Sequence, residues 1–195
     1  MKLISTRAVT IVRLGLALAG VAGLAACTPT SDQNTSAVQA LIATINNNAP
    51  LNSDVRITTN GSDDVKDDKV VVNVRTVAKA GGTLSPLYTV TFTRADVTFT
   101  RRDGFNKPGV DVPLPFSEAI AVTVPPGAQA TFSITLVSHL MKLEPPLRNL
   151  WFQGGELEIT TTATIALFGE DLAGNKVTAV GSFAVFFADF ADSSG

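Results

Sequence analysis

The chain of 195 residues predicts an all-β fold: an antiparallel β-sandwich of about seven strands over residues 51–195. Three observations point there. Apolar and polar residues alternate at period two from about residue 55 onward. Gly, Pro, Asn and Asp cluster between those runs as turn signals. No long stretch of helical period follows residue 50.

Residues 1–26 precede that fold and read as an export segment. Lys2, Arg7 and Arg13 give a positive start, and residues 14–26 are an uncharged apolar run. Thirteen residues at the helical rise span about 20 Å, short of the roughly 30 Å hydrocarbon core. The run therefore reads as a signal core rather than a membrane-spanning helix. It ends Leu24-Ala25-Ala26-Cys27. These four residues resemble the lipobox of bacterial lipoproteins: a branched apolar residue, two small residues, then the lipidated cysteine. The resemblance implies cleavage before Cys27, a diacylglyceryl thioether on its sulfur and usually a third acyl chain on the new amino terminus. It makes a membrane the first partner, through lipid on Cys27, and the bacterial cell envelope the location. In a Gram-negative host the Thr28 that follows, where inner-membrane retention calls for Asp, points to the outer membrane. The energetics agree. Each buried CH₂ contributes about 0.8 kcal/mol, and stable attachment takes two or more chains. The alternative is an ordinary secretory signal with a chance cysteine.

Residues 27–50 carry the lipidated cysteine, a tether and one short helix. Residues 28–36 (TPTSDQNTS) have the composition of a flexible tether. Val38, Leu41, Ile42 and Ile45 stand at i, i+3, i+4 and i+7, a helical stripe with Ser36 as N-cap. Asn46, Asn47, Asn48, Ala49 and Pro50 end it.

The sandwich then follows strand by strand. Val70, Val72 and Val74 alternate with Val71, Asn73 and Arg75. Val90 and Phe92 share one face, but Ala95, Val97 and Phe99 are apolar at the opposite parity. A slip of one predicts a β-bulge near Arg94-Ala95 or a strand crossing between sheets. Ile120, Val122 and Val124 form the next face, then Phe132, Ile134 and Leu136, with Pro125-Pro126-Gly127-Ala128 as a tight hairpin connection. Leu157, Ile159, Ala163, Ile165 and Leu167 make a long Thr-rich strand, and Val177, Ala179, Phe183, Val185 and Phe187 the last. Gly81-Gly82 and Gly154-Gly155 read as turns.

The stretch between the last two strands, Asp171-Leu172-Ala173-Gly174-Asn175, resembles the Asp-x-x-Gly-Asn turn of bacterial immunoglobulin-like and fibronectin III-like domains. That resemblance implies an immunoglobulin-like sandwich. The cysteine pair of antibody domains is absent, and fold by itself does not select a function.

Charge and composition exclude several function classes. The chain carries 15 basic and 17 acidic residues; without Lys2, Arg7 and Arg13 the balance is 12 against 17, or −5. Phosphate recognition needs a surplus of Lys and Arg on one face, so nucleic acid is not an expected partner. With a single cysteine the chain has no internal disulfide. One histidine, His139, cannot form a histidine-cluster zinc site. No phosphate-cradling Gly-rich loop and no Gly-x-Ser-x-Gly elbow occur, and no cofactor is implied.

Three candidate chemistries remain. A hydrolase would have to use His139, or the carboxylates Glu156, Glu158, Glu170 and Asp171; loop positions and solvated charges account for these more simply. A calcium site would draw on Asp63 and Asp64, with Asp67 and Asp68 beside them, and on Asp103 and Asp111. An aromatic platform for a sugar or protein would use Trp151 and Phe152, but the apolar neighbours favour Leu147, Leu150 and Trp151 as a cap over the open edge of the core. Counting strand crossings puts loops 59–68, 102–116 and 138–156 at one end of the sandwich. The expected function is a lipid-anchored, non-catalytic envelope module that binds a protein partner or supports an assembly. A glycan- or calcium-dependent binding module is the alternative, and a hydrolase comes third.

Overall fold

The computed structural model describes residues 36–59, 62–79, 84–152 and 157–191. The export segment, Cys27, the tether to residue 35 and both Gly-Gly pairs lie outside the described residues.

The fold is all-β and sandwich-like. One sheet holds β1 (Val38–Ile45), β5 (Asp68–Ala78) and β8 (Gln129–Val137), ordered β1-β5-β8. The other holds β2 (Leu51–Asp54), β6 (Val90–Thr100), β7 (Phe116–Val124), β9 (Glu158–Asp171) and β10 (Lys176–Ala188). Its order is β2-β10-β9-β6-β7, and it curls into a half-barrel. All pairings are antiparallel except β2 with β10. A small hairpin, β3 (Ile57–Thr59) with β4 (Ser62–Asp64), is inserted between β2 and β5.

The alternation works as read. Val70, Val72 and Val74 on β5 and Ile134 and Leu136 on β8 are buried. So are Val97 and Phe99 on β6, Ile165 and Leu167 on β9, and Val185 and Phe187 on β10. Phe99 and Phe187 meet edge to face at 5.9 Å and 65°. The parity slip in β6 is a bulge: against β9 the register shifts between Phe92 and Arg94, so Thr93 is the extra residue there, while against β7 it shifts the other way, with Ile120 and Ala121 opposite Thr93. Gly169 sits opposite Phe92, and a Cβ there would lie 2.3 Å from the Thr91 carbonyl oxygen. The bulge brings the two backbones too close for any side chain.

Two expectations are overturned. The short helix at 36–46 is a strand. β1 pairs with β5, and its register shifts between Ile42 and Thr44, which leaves Ala43 as a bulge. Val38, Ile42 and Ile45 therefore all turn inward or half-inward. A strand with one bulge reproduces the spacings of four and three that a helix would give. The sandwich accordingly begins before residue 51, at Ser36–Val38. Ser36 is not a helix cap; it is buried, and its Oγ accepts from the Val38 N–H. Second, residues 125–128 do not close a hairpin. The turn is tight, with Ala128 N–H donating to the Pro125 carbonyl and Gly127 at φ +76°. But β7 belongs to one sheet and β8 to the other, so the turn carries the chain across the sandwich.

A similar crossing joins β1 to β2. Asn46, Asn47 and Asn48 all adopt positive φ, at 49°, 53° and 64°. Asn tolerates this region better than other side-chain-bearing residues. The Asn46 amide donates to the Ala49 and Pro50 carbonyls and closes the turn.

Candidate functional site

Registers place the connections at two ends. At one lie the described residues of the 55–67, 101–115 and 138–157 connections and of the segment after β10, since Asp68 pairs with Val137, Thr100 with Thr162, and Ala188 with both Glu158 and Asp54. This is the loop end, and it unites the three loops that strand counting had grouped. At the other, the hairpin end, lie the 171–175 turn, the 125–128 turn and the start of β1. Ser36 hydrogen-bonds Asp171 there.

The loop end is built around a buried lysine. Lys142, at the last position of α1 (His139–Lys142), is 1% exposed. Its Nζ lies 2.9 Å from Asp68 Oδ2 and donates to the Asp54 carbonyl at 2.7 Å. Ser53 Oγ donates to the same Asp68 oxygen at 2.6 Å. One ammonium thus ties α1 to the ends of β2 and β5. The start of α1 is fastened by Asp67, whose Oδ1 accepts from the His139 N–H at 2.6 Å and lies 2.8 Å from Nδ1 of its ring. The His139 backbone bond, then its ring, hold the Asp67 carboxyl below its ordinary value. Ser138 Oγ accepts from the Met141 N–H as the cap of α1. The histidine and the adjacent hydroxyl therefore both hold the helix in place.

Trp151 does not form an exposed platform. It is 9% exposed, with Leu147 and Leu150 more deeply buried beside it, so this trio caps the core. The Arg148 guanidinium lies 3.7 Å from the Trp151 ring centroid, and that of Arg56 6.0 Å. The Phe152 side chain lies outside the described residues. The expected calcium candidates are not brought together either. Asp63 accepts from Thr58 Oγ1 and lies 3.8 Å from Arg56. Asp64 accepts from the Val65 N–H and pairs with Lys66. Asp103 is gripped by Arg101 and accepts from the Phe105 N–H; these bonds, the arginine's first, lower its carboxyl despite some loss of solvent. Asp111 accepts from the Lys107 N–H. Each carboxylate serves its own loop. Among the described residues no group of three His, Cys, Asp or Glu side chains is placed to hold a metal ion.

Among its exposed residues the loop end carries six large apolar side chains. Phe105, Val110 and Leu114 project from the β6–β7 loop, Leu140 and Leu143 from α1 and the residue after it, and Leu157 from the start of β9. Phe105, Leu140 and Leu157 are each more than 60% exposed. Five of these lie in connections, where apolar content carries no periodic signal; Leu157, expected on the apolar face of β9, instead precedes that strand and is exposed. No helix among the described residues is long and apolar enough to cross a membrane. No protein-family model matches the chain, and a search of curated proteins finds no significant match.

Proposed function

We propose that the chain is a lipid-anchored, non-catalytic module of the bacterial cell envelope, which binds a protein partner through the loop end. The lipobox residues Leu24-Ala25-Ala26-Cys27 supply the anchor. The observation that carries the reading is the polarity of the sandwich. Its first described residue, Ser36, sits at the hairpin end, and six large exposed apolar side chains sit at the loop end against three, Leu84, Leu87 and Leu172, at the hairpin end. A tether from Cys27 therefore holds the hairpin end toward the lipid and presents the loop end outward. Exposed apolar groups at a rigid end suit a protein contact better than a small polar ligand. The buried Trp151 and the dispersed aspartates favour this over a glycan or calcium site.

The anchor is tested by Cys27→Ser. The variant is expected in the aqueous fraction, and the parent in the membrane fraction with two or three acyl chains on its amino-terminal peptide by mass spectrometry. An unacylated parent would sink the reading. The contact is tested by Phe105→Ser with Leu140→Ser, which should abolish co-purification of whatever the parent retains from solubilised membranes while leaving the unfolding free energy within about 0.5 kcal/mol. Unchanged co-purification would show that the loop end is not the contact.

A further inference from the structure

The hairpin end carries an apolar tip of its own. Leu84, Leu87 and Leu172 are between 49% and 66% exposed there. The turns that carry them are fastened to one another. The Leu172 N–H donates to the Thr89 carbonyl at 3.2 Å, which holds the β9–β10 turn against the segment of Leu87. Leu84 packs over the β7–β8 turn, where a Cβ on Gly127 would lie 3.3 Å from its Cδ1. A shallow hollow of about 280 Å³ between Leu84, Pro86, Pro125 and Pro126 extends the same surface.

Cations bracket this tip on both sides of the sandwich. Lys176 begins β10 on the outer face of its sheet, since Val177 after it is buried. Lys79 follows β5, its N–H donating to the Ala37 carbonyl at 2.9 Å, and Arg75 is exposed on the outer face of β5. The carboxylates at this end are Glu170, exposed across from Lys176, and Asp171, buried and enclosed by the N–H groups of Ala173 and Asn175. Among the described residues the hairpin end thus has three cations against one exposed carboxylate. That inverts the balance of a chain that is −5 after its export segment.

We propose that the hairpin end is a membrane-seating surface: Leu84, Leu87 and Leu172 enter the headgroup layer of an anionic bilayer, and Lys79, Lys176 and Arg75 meet lipid phosphates. The inference rests on the anchor proposed above, and the length of the tether selects the occupant. Eight residues, Thr28 to Thr35, separate Cys27 from Ser36. The span to Ser36 extends at most about 30 Å. Lipid on Cys27 therefore keeps a bilayer surface at high effective concentration beside this end, an advantage that a dissolved protein partner lacks. The charge fits the same occupant. Apolar side chains flanked by Lys and Arg bind the interface of anionic lipids, and each cation near such a surface strengthens attachment roughly fivefold.

The test uses the full chain, reconstituted into vesicles of phosphatidylcholine alone or mixed with phosphatidylglycerol, with a fluorophore at Ala173→Cys. In mixed vesicles the probe is expected to be quenched by lipid spin-labelled near its headgroup and shielded from acrylamide in the water. Both effects should fade in phosphatidylcholine alone. Lys79→Gln with Lys176→Gln should lower the seating equilibrium about 25-fold, at roughly fivefold per cation. Arg102→Gln with Lys107→Gln, an equal charge change at the loop end, should leave it unchanged. Leu84→Ser with Leu87→Ser should release the probe to the water. A probe open to acrylamide and untouched by lipid in mixed vesicles would overturn the proposal. So would equal seating in the two lipids, or equal effects of the two charge variants. Flotation of the parent with the vesicles reads the anchor by itself. If the parent does not float, the anchor has failed, and the Cys27→Ser chain with the same probe and an excess of mixed vesicles decides the seat by the same quenching.

Discussion

Two buried side chains set the two ends of this molecule. Lys142 and Asp68 form an ion pair whose lysine is sealed from solvent and whose partner also holds Ser53. Removing one member of such a pair leaves the other without compensation. Lys142→Ala is expected to cost about 3–5 kcal/mol by urea unfolding, and Lys142→Met combined with Asp68→Asn to recover much of it. At the hairpin end, Asp171 is buried and accepts from the N–H groups of Ala173 and Asn175 and from the Asn175 amide. Burial pushes its carboxyl up, but the donors of Asn175, Ser36 and Ala173 outweigh that and leave it below its ordinary value. A carboxyl lowered on folding contributes stability that is fully present above its unfolded value and is lost as pH falls through its folded value. Asp171→Asn should therefore flatten the loss of stability below the ordinary aspartate range, measured as the urea midpoint against pH.

At the scale of elements, bulges decide both what was legible and what was not. The slip in β6 announced itself because its apolar residues are regular on either side: Val90 and Phe92, then Ala95, Val97 and Phe99. Gly169→Ala should destabilise by about 3 kcal/mol, the upper range for overpacking, because the contacting atoms are backbone and cannot rotate away. The slip in β1 was illegible. With only two residues after Ala43 in the strand, the pattern never regains a second regular run, and period two with one insertion coincides with a helical stripe. Sheet assignment was equally hidden at 125–128, since a turn's residues specify its backbone but not whether the next strand pairs with the last. The left-handed turn at Asn46–Asn48 is what sends the chain from one sheet to the other. Asn47→Val is expected to cost about 1–2 kcal/mol, whereas Asn47→Gly should not destabilise; chemical unfolding of the pair reads both. The site was less legible than the fold. Trp151 and the acidic loops looked available because sequence gives residue type but not partner; Arg148, Arg101 and the local N–H groups are those partners.

At the scale of the whole molecule, what matters is which end of the sandwich faces the membrane. The loops share one end because an even number of strand crossings separates them, a property of topology that strand counting can reach. The hairpin end holds Ser36, the first described residue, and the loop end holds Phe105, Leu140 and Leu157. β9, with 14 residues, spans about 45 Å between the two ends at the usual strand rise. That separation is measurable. Fluorophores placed singly at Leu172→Cys and at Phe105→Cys, in lipidated protein reconstituted into vesicles, report distance from the bilayer through energy transfer to labelled lipid headgroups. An anchor at Cys27 that presents the loop end outward predicts strong transfer from position 172 and weak transfer from position 105. Equal transfer from both, or stronger transfer from 105, would contradict it.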